Sequence, residues 1–91
     1  MSASHGDLIR QIREFIVFSF VRGEQPEALD PDLNLIEAGI LDSLAIIEVA
    51  DYLESLSGAP VQGHEINPET MGTISAMARF VAARRKAGGV A

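Results

Sequence analysis

Gly39-Ile40-Leu41-Asp42-Ser43-Leu44 runs straight into Ala45-Ile46-Ile47-Glu48-Val49-Ala50-Asp51-Tyr52-Leu53-Glu54, and the reading of this stretch decides the fold. A glycine-punctuated loop delivers one serine to the start of an amphipathic helix, expected over about Ser43 to Ser57. At helical spacing Ile46, Val49, Ala50, Leu53 and Leu56 fall together as a core face. The opposite face carries Leu44, Ile47, Glu48, Asp51 and Glu54, so its first turn is apolar and the turns beyond are acidic. Two readings of Leu44 and Ile47 stay open: they tuck under the preceding loop, or they form a docking patch beside Ser43 with carboxylates for steering. Ser43 is equally open. Ser and Asp are ordinary N-caps, but a helix N-terminus, with unpaired N–H groups and a positive dipole end, is also a favourable seat for a phosphate.

Working outward, the segment Arg22 to Asp42 is a long connection in which Pro26 and Pro31 discourage a regular helix. Leu29, Leu33, Leu35, Ile36, Ile40 and Leu41 are expected to pin it to the core. Asn34 and Glu37 read as a capping pair for one short turn that stops at Gly39. Ahead of it a first helix is expected from about Asp7 to Val21, with Leu8, Ile12, Phe15, Ile16 and Ser19 on one stripe and Val17 and Phe18 off it. The run from Phe15 to Val21 also has strand-forming composition; the unbroken pattern from Leu8 favours the helix. Downstream, Gly58, Pro60 and Gly63 break the chain, and Asn67-Pro68 opens a short helix to about Met71. Thr73 then caps a last helix whose Ile74, Met77, Ala78 and Val81 share a face. Arg84, Arg85 and Lys86 are expected as a solvated basic helix end, which suits the dipole.

The totals narrow the function. Ninety-one residues suit one domain with a modest core. Thirteen acids against seven bases argue against nucleic acid or an anionic membrane as the partner, and for a basic partner surface. The chain has no cysteine, hence no disulfide, no thiolate and no thiolate metal ligand, which is compatible with a reducing, cytoplasmic setting. The opening Met1 to Asp7 lacks the basic and apolar regions of a signal peptide, and the longest apolar stretch, Phe15 to Val21, is too short for membrane insertion. Asp30-Pro31-Asp32-Leu33-Asn34 starts like a calcium loop, but Leu35 and Leu41 occupy the required glycine and glutamate positions. His5 and His64 stand apart from any ligand cluster, so no metal site and no Ser-His pair is expected. No catalytic constellation appears. The chain is not expected to be an enzyme.

The Gly39-to-Leu44 motif resembles that of the acyl carrier and peptidyl carrier proteins. The leading Gly39, the anchored loop, Glu48 on the following helix and Thr73-Ile74 opening the last one extend the similarity over about Asp7 to Val81. The resemblance implies an all-α, four-helix bundle with a long loop between helices 1 and 2 and a short third helix. It implies a carrier domain over 7–86 between flexible ends at 1–6 and 87–91. It further implies that Ser43, flanked by Asp42 and Leu44, takes a covalent 4′-phosphopantetheine donated by coenzyme A through a phosphopantetheinyl transferase. Asp42, Leu44, Ile47, Glu48, Asp51 and Glu54 would meet adenylating or acyl-transferring enzymes and downstream synthases, with the carrier acting as a monomer. Ala45 stands where many fatty-acid-synthesis carriers have an acid, removing a steering charge; the motif is closer to stand-alone carriers loaded by a dedicated adenylating enzyme, aminoacyl carriers included. The competing reading is a helical adaptor that binds a partner through Leu44, Ile47 and the acidic face.

Overall fold

A computed structural model of the protein describes residues 5–21, 23 and 29–88. Among them are four α-helices and no strand: α1 (His5–Phe20), α2 (Ser43–Ser57), α3 (Pro68–Met71) and α4 (Ile74–Gly88). A 3-10 turn at Gly63–Glu65, which local pattern did not signal, precedes α3. The bundle is of the acyl-carrier type, with the long loop and the four-residue third helix that the sequence led one to expect. Pro26 and most of the expected flexible ends (1–4 and 89–91) lie outside the described residues, as do the side chains of His5 and Lys86.

Helix α4 is the element on which α1, α2 and α3 all pack. Ile74, Met77, Ala78 and Val81 are each fully buried, and the Thr73 hydroxyl accepts the Ala76 N–H at 3.0 Å to start the helix. In α1, Leu8, Ile12 and Ile16 recur every fourth residue and are at most 2% exposed. Burying each such side chain contributes roughly 1.5–3 kcal/mol. The helix persists through Phe20, so its β-branched and aromatic end is not a strand. Val17, expected off the stripe, is buried too. Leu29, Leu35 and Leu41 of the following loop join the same core cluster. Ser19, expected on the stripe, is instead exposed.

The loop is ordered by its own polar groups. Asp30 Oδ1 accepts the Asp32 N–H at 2.8 Å. Asn34 Oδ1 accepts the N–H groups of Ile36 and Glu37 at 3.1 and 3.0 Å, and its amide donates to Glu37 at 3.3 Å. Gly39 then adopts φ +79°, a left-handed turn that a side chain would strain. Two backbone bonds tie the loop to the start of α4: Leu35 N–H to Gly72 O at 2.7 Å and Ser75 N–H to Pro31 O at 3.0 Å. Leu35 is fully buried, whereas Leu33, expected as an anchor, is 38% exposed and points away.

The basic end of α4 corrects the expectation of a solvated terminus. Arg84 forms an ion pair with Glu65 at 2.7 Å, donates to Pro60 O and lies over the Phe80 ring. Arg85 Nε donates to Leu56 O at 2.7 Å, an orphan carbonyl in the last turn of α2. These two guanidinium groups staple the α2–α3 connection to α4.

Candidate functional site

Asp42, Ser43 and Leu44 form an exposed triplet between two buried anchors, Leu41 at 3% and Ala45 at 6% exposure. The anchors hold the backbone on either side, so the triplet stands out without being loose. Asp42, not Ser43, is the N-cap: its Oδ1 accepts the Ala45 N–H at 2.9 Å and its carbonyl accepts the Ile46 N–H at 2.9 Å. That assignment leaves the Ser43 hydroxyl without a hydrogen bond among the described residues. The first-turn N–H groups of Ser43 and Leu44 remain as orphan donors at the positive end of the dipole.

Leu44 is 76% exposed and Ile47 58% exposed, so neither tucks under the loop. Glu48 and Asp51 continue the same exposed face. The structure therefore brings Asp42, Ser43, Leu44, Ile47, Glu48 and Asp51 onto one surface. Glu54 is different: it is half-buried, and its Oε1 accepts the Val61 N–H at 3.0 Å, holding the chain after α2. Ala45 is not on this surface either. It belongs to the core cluster, so the absence of an acid there is a packing requirement of the buried face before it is a missing steering charge.

A shallow groove open to solvent runs between α1 and α2 beside the triplet. Near Ser43 its apolar walls are Phe20, Ile40, Leu44, Ala45 and Ile47. Ser19 and Glu48 line both this part and its continuation toward Phe15, Asp51 and Tyr52. There Phe15 stacks on Tyr52, with ring centroids 4.0 Å apart and planes within 2°. The Tyr52 hydroxyl donates to Gln11 O at 3.3 Å. Burial, and secondarily the charge of Glu14, raises the Tyr52 pKa above its ordinary value. Sequence reading missed the α1 wall of this groove. The i, i+4 pair Phe15 and Ser19 was the available signal, but it was indistinguishable from core.

Chemically, the site has an exposed hydroxyl beside an exposed apolar and acidic surface, and among the described residues no imidazole is placed at the hydroxyl. The described imidazole, His64, lies exposed in the 3-10 turn past the far end of α2. Ser43 is at the near end, and a helix of 15 residues is about 22 Å long. Among the described residues no His, Asp and Glu group is placed to hold a metal ion, and no helix is long and apolar enough to cross a membrane.

No family model matches the chain. It is similar to a protein named "Probable acyl carrier protein PigG" of Serratia sp. (strain ATCC 39006), with 33% identity over 66 residues, 72% of this chain and 75% of that relative.

Proposed function

The chain belongs to the acyl carrier protein family, and from that premise we propose that Ser43 carries a 4′-phosphopantetheine arm on which acyl or aminoacyl intermediates travel as thioesters. The carrier role goes with the family; the attachment residue, the arm and the cargo are the proposal. The observation that supports it best is the exposed Ser43 hydroxyl, relieved of capping by Asp42.

The residues fit the group. A phosphodiester on Ser43 sits against the free N–H groups of Ser43 and Leu44, where the helix dipole favours negative charge. The Asp42 carboxylate, also anionic, is turned to the Ala45 N–H at 2.9 Å and is engaged there. In the attachment step the Ser43 oxygen forms a bond to the pantetheine-bearing phosphorus of coenzyme A. The bond from that phosphorus to the bridging oxygen breaks, the adenosine bisphosphate half leaves, and the hydroxyl proton passes to a base of the transferase. We assign that base to the partner, since the described imidazole, His64, lies in the turn past the far end of α2. The arm supplies the terminal thiol that this cysteine-free chain lacks. Ser43 holds the tether, and Leu44, Ile47, Glu48 and Asp51 meet the enzymes: an apolar patch for contact, carboxylates for steering and register. The phosphopantetheinyl transferase, an adenylating or acyl-transferring enzyme and downstream synthases are such partners, in a cytoplasmic setting and with the carrier as a monomer.

Incubation with coenzyme A and a broad phosphopantetheinyl transferase tests the reading by intact mass. The expected result is one added phosphopantetheine on the wild type and none on Ser43→Ala. No gain on the wild type, with a transferase active on a control carrier, contradicts it. The exposure of Leu44 and Ile47 is the one observation that also favours an adaptor. In that case Ser43→Ala leaves partner binding intact and the arm is never added.

A further inference from the structure

We propose that Phe18, on α1, is a second apolar anchor for the enzyme that modifies Ser43, so that this enzyme's footprint spans two helices rather than α2 alone. The inference rests on attachment at Ser43 and deepens that reading by naming where the transferase grips the chain. The run from Phe15 to Val21 holds six apolar side chains. Ile16 and Val17 are buried, and Phe15, Phe20 and Val21 are half-buried against the core. Phe18 is left out, at 74% exposure. The end of α1 that carries it lies beside the tip of α2, since Ser19 and Phe20 wall the same stretch of groove as Asp42 and Leu44. Phe15, three positions before Phe18 and so on a neighbouring strip of the helix, stacks on Tyr52 of α2. Phe18 therefore borders the α1 side of the groove, as Leu44 and Ile47 border the α2 side. These are three of the four large apolar side chains exposed among the described residues; the fourth, Leu33, is only 38% exposed.

The reaction points to the transferase as the occupant. An enzyme served by the arm can stand off from the carrier by the arm's length. The transferase has to bring a phosphorus atom to an oxygen one carbon away from the Ser43 backbone, so its body is pressed against the tip of α2. Even a transient interface covers about 600 Å² on each partner, a patch roughly 28 Å across. The chain's principal extents are 40, 29 and 18 Å, so a patch centred on Ser43 runs past α2 onto the end of α1. There it meets an aromatic ring, a side-chain class enriched at the anchoring points of interfaces. Along the groove between the anchors Glu48 and Asp51 are exposed, with no ion pair among the described residues. The fitting surface on the transferase has two apolar pockets, one for Leu44 and Ile47 and one for Phe18, with a lysine or arginine between them.

The test is the transfer reaction itself, run on the full chain with coenzyme A and the broad phosphopantetheinyl transferase. Its rate is followed by intact mass over a range of carrier concentrations. Phe18→Ala is expected to raise the KM for the carrier roughly tenfold, the scale of an aromatic anchor, while kcat and the urea midpoint stay as they are. Phe18→Tyr, which keeps the ring, should keep the wild-type KM. As a second readout, a photoreactive benzoylphenylalanine in place of Phe18 is expected to cross-link to the transferase on irradiation. The same group in place of Ala83, exposed on α4, is expected not to. An unchanged KM for Phe18→Ala, a KM that rises only together with a lowered urea midpoint, or cross-linking absent at 18 or equal at 18 and 83 overturns the anchor. In each of those cases the wild type still gains its arm, so the Ser43 reading stands. Cross-links from position 18 to a second carrier copy in place of the transferase overturn it as well. Absence of mass gain on the wild type, with a transferase active on a control carrier, removes the attachment and the inference with it.

Discussion

At its N-terminal end α2 presents three consecutive exposed residues, Asp42, Ser43 and Leu44, between buried Leu41 and Ala45. At its C-terminal end the same helix is tied down from three directions. Gly58, at φ +76°, returns its N–H to Glu54 O at 2.8 Å, Arg85 donates to Leu56 O, and the Glu54 carboxylate holds Val61. The contrast separates two tasks within one helix. Exposing the N-terminal end invites fraying; α2 carries one side-chain cap there, and at the other end two local ties and the long-range bond from Arg85. The proposed attachment residue sits where the ties are fewest.

Mutations should divide along that line. The largest loss is expected at Leu35→Ala, which empties a fully buried site and loosens the loop that delivers the triplet. About 2–5 kcal/mol should disappear in urea unfolding. A loss below 1 kcal/mol would mean that the loop does not share the core. Arg84→Met at the tied end removes the ion pair with Glu65 and the bond to Pro60 O. A cost of about 1–2 kcal/mol is expected, with arm addition at the wild-type rate. Slowed addition would show that the two ends are coupled.

At the presented end, Asp42→Ala should cost about 1 kcal/mol as a lost cap. Ser43→Ala should stay within about 0.5 kcal/mol of wild type while losing the arm altogether. Equal costs at the two positions would return the capping role to the serine. The smallest effects separate two acids six residues apart on α2. Glu48→Lys should leave stability unchanged and slow association with the transferase several-fold in low salt, the effect fading as salt is added. Glu54→Lys should instead lower stability, since its carboxylate holds the Val61 N–H at 3.0 Å. Stopped-flow association and unfolding curves on both variants check the division.

What the sequence disclosed follows the same contrast. The Asn34 turn, the Asn67 and Thr73 caps, the buried face of α4 and the Leu8, Ile12, Ile16 stripe of α1 depend on neighbours within a turn or two, and each was legible from spacing and residue type, whereas the exposure of Leu44 was left open and Ser19 and Val17 were placed on the wrong sides. The ties were not legible. Arg84 reaches Glu65 across 19 positions and Arg85 reaches Leu56 across 29, so local pattern showed only a basic helix end. Glu54 likewise read as one more acid of the expected partner-meeting face. Leu33 and Leu35 have the same side chain two positions apart, yet Leu35, whose N–H reaches Gly72 O, is buried and Leu33 is not. The groove was hidden for a related reason: Ser19 acquires its role only when α1 is laid beside α2.

The most direct measurement is fragmentation mass spectrometry of the protein after incubation with coenzyme A and the transferase, locating the added group on the chain. The account predicts phosphopantetheine on Ser43 and on no other serine. Its discovery on Ser19, Ser55, Ser57 or Ser75, or on no residue at all, would contradict the claim that the tip of α2 is the carrier's handle.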